Sequence, residues 1–114
     1  MASMRISVAV AAAALALVTM APAPATAACF EDVGCTNDHV IPYPALRRLS
    51  CDVLWTVRNT IFYEGGYCFQ TARGRAVFDN RGCAYYNSGD IPLSGIEREN
   101  VNRVLGVERS RGCR

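Results

Sequence analysis

Six cysteines constrain this chain more than any other feature: Cys29, Cys35, Cys51, Cys68, Cys83 and Cys113 all lie beyond residue 28. An even number in a short chain reads as a set of structural disulfides, provided the chain reaches an oxidising space. The first residues fit that condition. Arg5 supplies a positive start, Ile6 to Met20 carries no charge, and Pro22 and Pro24 break the run ahead of Ala25-Thr26-Ala27. The apolar run is shorter than the roughly twenty residues a spanning helix needs, so residues 1–27 are expected to be a signal peptide cut after Ala27. The rival is a lipoprotein box, Thr26-Ala27-Ala28-Cys29, with Cys29 lipid-anchored; the early end of the apolar run and threonine in place of leucine speak against it.

Residues 28–114 suffice for one domain with a modest core, and each native bridge adds about 2–4 kcal/mol to such a domain. Zinc is the other use of six cysteines, but it favours pairs two to four residues apart, and five residues separate even Cys29 from Cys35. A single histidine, His39, completes no ligand set, so no metal or cofactor is expected. The twelve basic residues are all arginine, against ten acids, with no basic stripe for nucleic acid and no polybasic run for a membrane.

The pattern predicts a mainly α, small single domain of about three short helices with an irregular N-terminal arm, stapled by disulfides. Residues 28–45, with Gly34, Pro42 and Pro44, form the arm. The first helix spans 51 to 64, capped by Ser50, with Cys51, Leu54, Trp55, Arg58, Ile61 and Phe62 on its inner stripe and Gly65-Gly66 ending it. A short second helix follows Thr71, with Ala72, the Arg75 stem, Ala76 and Phe78 as its buried face and Gly74 weakening it. Ser94-Gly95-Ile96-Glu97 is a capping box opening a third helix over 95–111, with Ile96, Val101, Val104, Leu105 and the Glu108 stem facing inward. Spacing alone leaves fifteen pairings of the cysteines open. Cys68–Cys83 is favoured because the two flank the second helix; Cys51–Cys113 and Cys29–Cys35 complete the preferred set.

Leu54-Trp55, Arg58-Asn59, Ile61, then Gly66-Tyr67-Cys68-Phe69, with Phe78, Glu97 and Asn100, resemble the YARHG domain, a small bacterial extracellular module. The resemblance runs from Leu46 to Cys113, which makes residues 46–114 the YARHG-like domain. The family's Tyr-Ala-Arg-His-Gly is matched here by Phe62, Tyr63, Glu64, Gly65 and Gly66, so only the glycine is kept and no role of the family's arginine or histidine carries over. The chain looks like a cysteine-rich branch. The resemblance implies a place at the cell envelope, beside domains that bind wall components, and no established reaction.

Side-chain chemistry points the same way. Arg58 on an apolar stripe is an anion or carboxylate anchor or, more simply, the partner of an acid such as Glu97 or of helix-end carbonyls. Trp55 is expected at the centre of the core. Asp38 and His39 resemble an acid and base set, but neighbours in an irregular arm seldom face one another, so His39 is expected free at the surface. Glu97 and Glu99, two apart on a helix, diverge. Nothing nominates a catalytic residue. The exposed aromatics Tyr43, Tyr63, Tyr85 and Tyr86 suit stacking on sugars or packing on a protein, and loops carry function more often than helices. Possible binding residues are therefore Tyr85, Tyr86, Tyr63 and Arg58. The sequence reads as an exported, non-catalytic envelope module, periplasmic or secreted and expected as a monomer, that binds a wall component or an exported protein and neither nucleic acid nor the bilayer by a transmembrane segment. The alternative is a small secreted inhibitor presenting residues 84 to 93.

Overall fold

The computed structural model describes residues 28–114, together with Ser3 and Ala9. The expected signal peptide and its cleavage after Ala27 fall outside the described residues. The first ordered unit is a two-residue antiparallel ladder, β1 (Cys29–Phe30) on β2 (Gly34–Cys35), with Cys29 opposite Cys35. Four helices follow: α1 (Tyr43–Arg47), α2 (Cys51–Glu64), α3 (Ala72–Val77) and α4 (Gly95–Ser110), with a single 3-10 turn at Ser88–Asp90 before the last. Mainly helical architecture and three bridges are as the sequence implied. The arm is more regular than expected. Pro42 caps α1 and Pro44 stands in its first turn, where a missing N–H breaks no bond and a fixed φ suits the helix.

The termini of the long helices follow from local chemistry. Ser50 Oγ accepts from the Val53 N–H at 3.2 Å to open α2. At α4 the Ser94 hydroxyl accepts from Glu97 N–H at 3.1 Å while Glu97 Oε1 accepts from Ser94 N–H at 3.0 Å, a complete capping box. Both helices end in the same way. Gly66 (φ 92°) and Gly112 (φ 68°) take the left-handed conformation, which lets Tyr67 N–H reach Phe62 O at 3.0 Å and Cys113 N–H reach Glu108 O at 2.8 Å.

The packing has two parts. Val33, Ile41, Leu46, Leu49, Leu54, Val57, Val104 and Val107 form an aliphatic core where the arm, α1, α2 and α4 meet. Beside it, α2 carries an aromatic cluster from Trp55 to Tyr63, centred on buried Phe78, which stacks on Phe69 (centroids 4.7 Å apart, planes at 12°) and meets Tyr63 and Trp55 at 5.3 and 5.9 Å. Trp55 is therefore a half-buried edge of the second cluster and not the centre of the first. The inner stripe of α2 runs through Val57 as well as Leu54 and Ile61, and that of α4 through Asn100 and Val107, while Ile96 and Leu105 are only half-buried. In α3 the alanines and Arg75 face solvent. Its buried residue is Gly74, because a Cβ there would stand 2.7 Å from Phe69 Cδ1.

The bridges are Cys29–Cys35, Cys51–Cys113 and Cys68–Cys83, with no cysteine free. The first closes the ladder, the second ties the start of α2 to the end of α4, and the third encloses α3. Fully buried Asn100 fastens the arm to α4: its Oδ1 accepts from Ile41 N–H at 2.8 Å, and its Nδ2 donates to Thr36 O and His39 O at 2.9 Å each. An amide side chain that completes three buried bonds fixes the path of an otherwise irregular segment.

Candidate functional site

The part of α2 from Trp55 to Phe62, the extended stretch Tyr67 to Thr71 and the 3-10 turn enclose a shallow cleft of about 260 Å³. Trp55, Phe62, Tyr67 and Phe69 give it aromatic walls, and Arg58, Gln70 and Ser88 add polar groups. The stretch is held in place by Asn80, whose amide accepts from Phe69 N–H at 2.8 Å and donates to Phe69 O at 2.9 Å, as a neighbouring strand would. Across it, Cys68 N–H donates to Tyr85 O at 2.7 Å. Gln70 Nε2 then donates to Tyr86 O at 2.7 Å, so the loop carrying Tyr85 and Tyr86 is tied to the rim of the cleft.

Arg58 lines the cleft, but its charge is spoken for. Its partner is Glu108 and not Glu97, whose carboxylate belongs to the capping box: Nε donates to Oε1 at 2.7 Å and Nη2 to Oε2 at 3.1 Å. The parallel fork leaves the cleft without net charge at that wall. A second guanidinium, that of Arg73, lies 4.0 Å from the centre of the Trp55 ring and is paired to Asp52 at 2.9 Å.

The sequence-derived binding candidates do not gather at one point. Tyr63 faces a separate hollow of about 250 Å³ with Glu64, Asp79 and Arg81, and its hydroxyl donates to Asp79 Oδ1 at 3.2 Å. That hydrogen bond is the main reason its pKa lies above the ordinary 10.0. Tyr85 is half-buried beside Gly66, whereas Tyr86 is 73% exposed. Sequence reasoning did not single out Phe62, Gln70 or Ser88, and took Trp55 for core. Helical periodicity placed Trp55 and Phe62 on one face; nothing in the sequence marked Gln70 or Ser88.

Asp38 and His39 do face each other, contrary to expectation, at 2.6 Å. The second ring nitrogen of His39 is held by Val33 O at 3.1 Å, so neither nitrogen is open to a substrate. Glu99 pairs with Arg103 at 3.0 Å. Every acid or base weighed above thus has a structural partner.

The family model described as YARHG domain matches residues 33–109. The chain belongs to the YARHG domain family. No curated protein and no solved structure matches it. The matched region starts earlier than the resemblance at Leu46 and takes in β2 and α1, which is consistent with Asn100 binding that segment to α4. YARHG is an extracellular-type, non-catalytic module family, and three bridges with no free cysteine accord with an exported module. No helix among the described residues is long and apolar enough to cross a membrane. In this YARHG domain Gly66 is the left-handed residue that closes α2.

Proposed function

We propose that this YARHG domain is a non-catalytic cell-envelope module, periplasmic or secreted, that binds a wall component or another exported protein at the Trp55 cleft and the loop beside it. The observation that carries the reading is the pairing of aromatic walls with neutral hydrogen-bonding groups, next to a tied loop that exposes Tyr86. Ring faces suit the apolar side of a sugar or a side chain, and uncharged amide and hydroxyl groups suit its polar edge. With Arg58 neutralised by Glu108, the cleft favours an uncharged ligand face over a carboxylate. Of the other candidates, Tyr86 contributes contact area, while Tyr85 and Tyr63 hold the loop and the aromatic cluster.

Co-sedimentation with purified peptidoglycan, and pull-down from envelope extract, test this. Binding that falls on Tyr86→Ala and Gln70→Ala, in variants with unchanged circular dichroism, supports it; binding that ignores both overturns the assignment of the cleft. The loop from Cys83, braced by its disulfide and by Gln70, also fits the presentation of a segment to an enzyme's cleft, so inhibition is the second reading. Stoichiometric loss of activity in an extracellular hydrolase, abolished by Tyr86→Ala, would replace the first reading with the second.

A further inference from the structure

The sequence contains no polybasic run, yet the fold assembles a basic surface from distant pieces. Cys51–Cys113 brings together the end of α1, the start of α2 and the end of α4. Arg47 and Arg48 lie just before Cys51 in the chain, and Arg109, Arg111 and Arg114 flank Cys113. Arg111 fastens the two groups by donating to Leu49 O. All five are exposed, and among the described residues none forms an ion pair. The acids nearby are few: Asp52 is paired to Arg73, and Asp32 shares a hollow with Arg48 without reaching ion-pair distance.

Setting Asp32 and Asp52 aside, the rest of residues 28–114 holds six arginines against eight carboxylates, so the molecule is charge-asymmetric. Two of the helices end beside the five arginines, and cations at a helix C-terminus are stabilised by its dipole; that explains one or two of these residues and not five. Guanidinium groups bind phosphate in a bidentate fork. Here they surround a bridge, beside exposed Val53 in the first turn of α2.

We infer that the end of the domain around Cys51–Cys113 is a docking surface for a bilayer carrying anionic phospholipid headgroups. A cluster of unpaired cations flanked by a small apolar side chain suits a plane of phosphates, and the attraction falls within a Debye length, which makes it salt-sensitive.

The test is flotation of the oxidised mature protein with vesicles of phosphatidylcholine alone and of phosphatidylcholine mixed with phosphatidylglycerol. Expected is binding to the mixed vesicles only, lost at about 0.5 M salt and weakened about tenfold or more by the triple variant Arg48→Gln, Arg109→Gln, Arg114→Gln. That variant spares Arg111 and its bond to Leu49, and Arg75→Gln with Arg81→Gln serves as the control that should bind like wild type. Equal binding to both vesicles, no binding to either, an equal loss in the control, or binding to soluble polyphosphate without binding to vesicles would each overturn the proposal.

Discussion

Arg58 and Glu108, fifty residues apart, meet in a parallel fork whose side chains are only 18% and 11% exposed. The pair joins the middle of α2 to the last turn of α4. Removing one partner leaves the other charged in a largely dry site, whereas replacing both by apolar groups of similar volume removes the need for pairing. Glu108→Ala is expected to cost about 3–5 kcal/mol and Arg58→Met with Glu108→Leu far less, within about 1–2 kcal/mol of wild type. Urea unfolding followed by circular dichroism measures both. Equal losses in the single and double variants would show that the fork acts through packing and not through charge.

The three bridges differ in how much of the unfolded chain they restrain. Cys51–Cys113 spans 62 residues, Cys68–Cys83 spans 15 and Cys29–Cys35 only 6. Loop entropy then assigns them about 4, 3 and 2 kcal/mol respectively. Replacing each pair by alanines should lower Tm in that order, and full reduction should lower it by well over about ten degrees, at roughly 4–8 °C per kcal/mol. A scanning calorimetry series in which the Cys29–Cys35 variant is the least stable would contradict the entropic ranking.

Features set within one helical turn were legible in the sequence. Ser50, Ser94 and Glu97 fixed the starts of α2 and α4, and the flanking of the second helix by Cys68 and Cys83 pointed to the bridge found there. Features set by tertiary contact were not. Pro42 and Pro44 read as breakers because their tolerance in a first turn depends on where the helix starts. Glu97 and Glu108 stand on one helix, and only the crossing of α2 with α4 selects Glu108 for Arg58. The cleft needs Ser88 brought to residues of α2, and the basic end needs a disulfide to join Arg47 and Arg48 to Arg109, Arg111 and Arg114; no periodicity announces either. Asn100, polar on an apolar stripe, gave no sign that it holds three backbone groups of the arm.

Two glycines inside helices should respond to alanine with opposite signs. Propensity alone predicts a gain of about 0.5–1 kcal/mol at each. At Gly106 nothing stands within 4 Å of the added methyl, so the gain should be realised. At Gly74 the methyl would meet Phe69 at 2.7 and 3.1 Å, in the stacked pair with Phe78, and overpacking of that kind costs about 1–3 kcal/mol. Chemical denaturation of Gly74→Ala and Gly106→Ala decides it, and stabilisation at Gly74 would mean that the aromatic cluster yields more readily than its geometry implies.

The pH dependence of the arm follows from what surrounds one ring. His39 Nδ1 faces the Asp38 carboxylate at 2.6 Å and Nε2 faces Val33 O at 3.1 Å, and both partners only accept hydrogen bonds. Only the imidazolium can satisfy both at once. The hydrogen bond to Asp38 is the chief reason the His39 pKa is raised above 6.5. A group whose pKa is higher folded than unfolded binds the proton more tightly when folded, so its stabilisation is complete below pH 6.5 and is lost as pH rises through the folded value. The same residue's carbonyl accepts from Asn100, so a loosened ring also slackens the tie between the arm and α4. Titration of the His39 Cε1 proton by NMR should give a midpoint above 6.5 that Asp38→Asn returns towards it, and the Tm difference between wild type and that variant should shrink from about pH 6 to about pH 9. A midpoint at or below the ordinary value, or a Tm difference that grows with pH, would mean that the ring stands neutral and that Val33 O is held by something other than a second N–H.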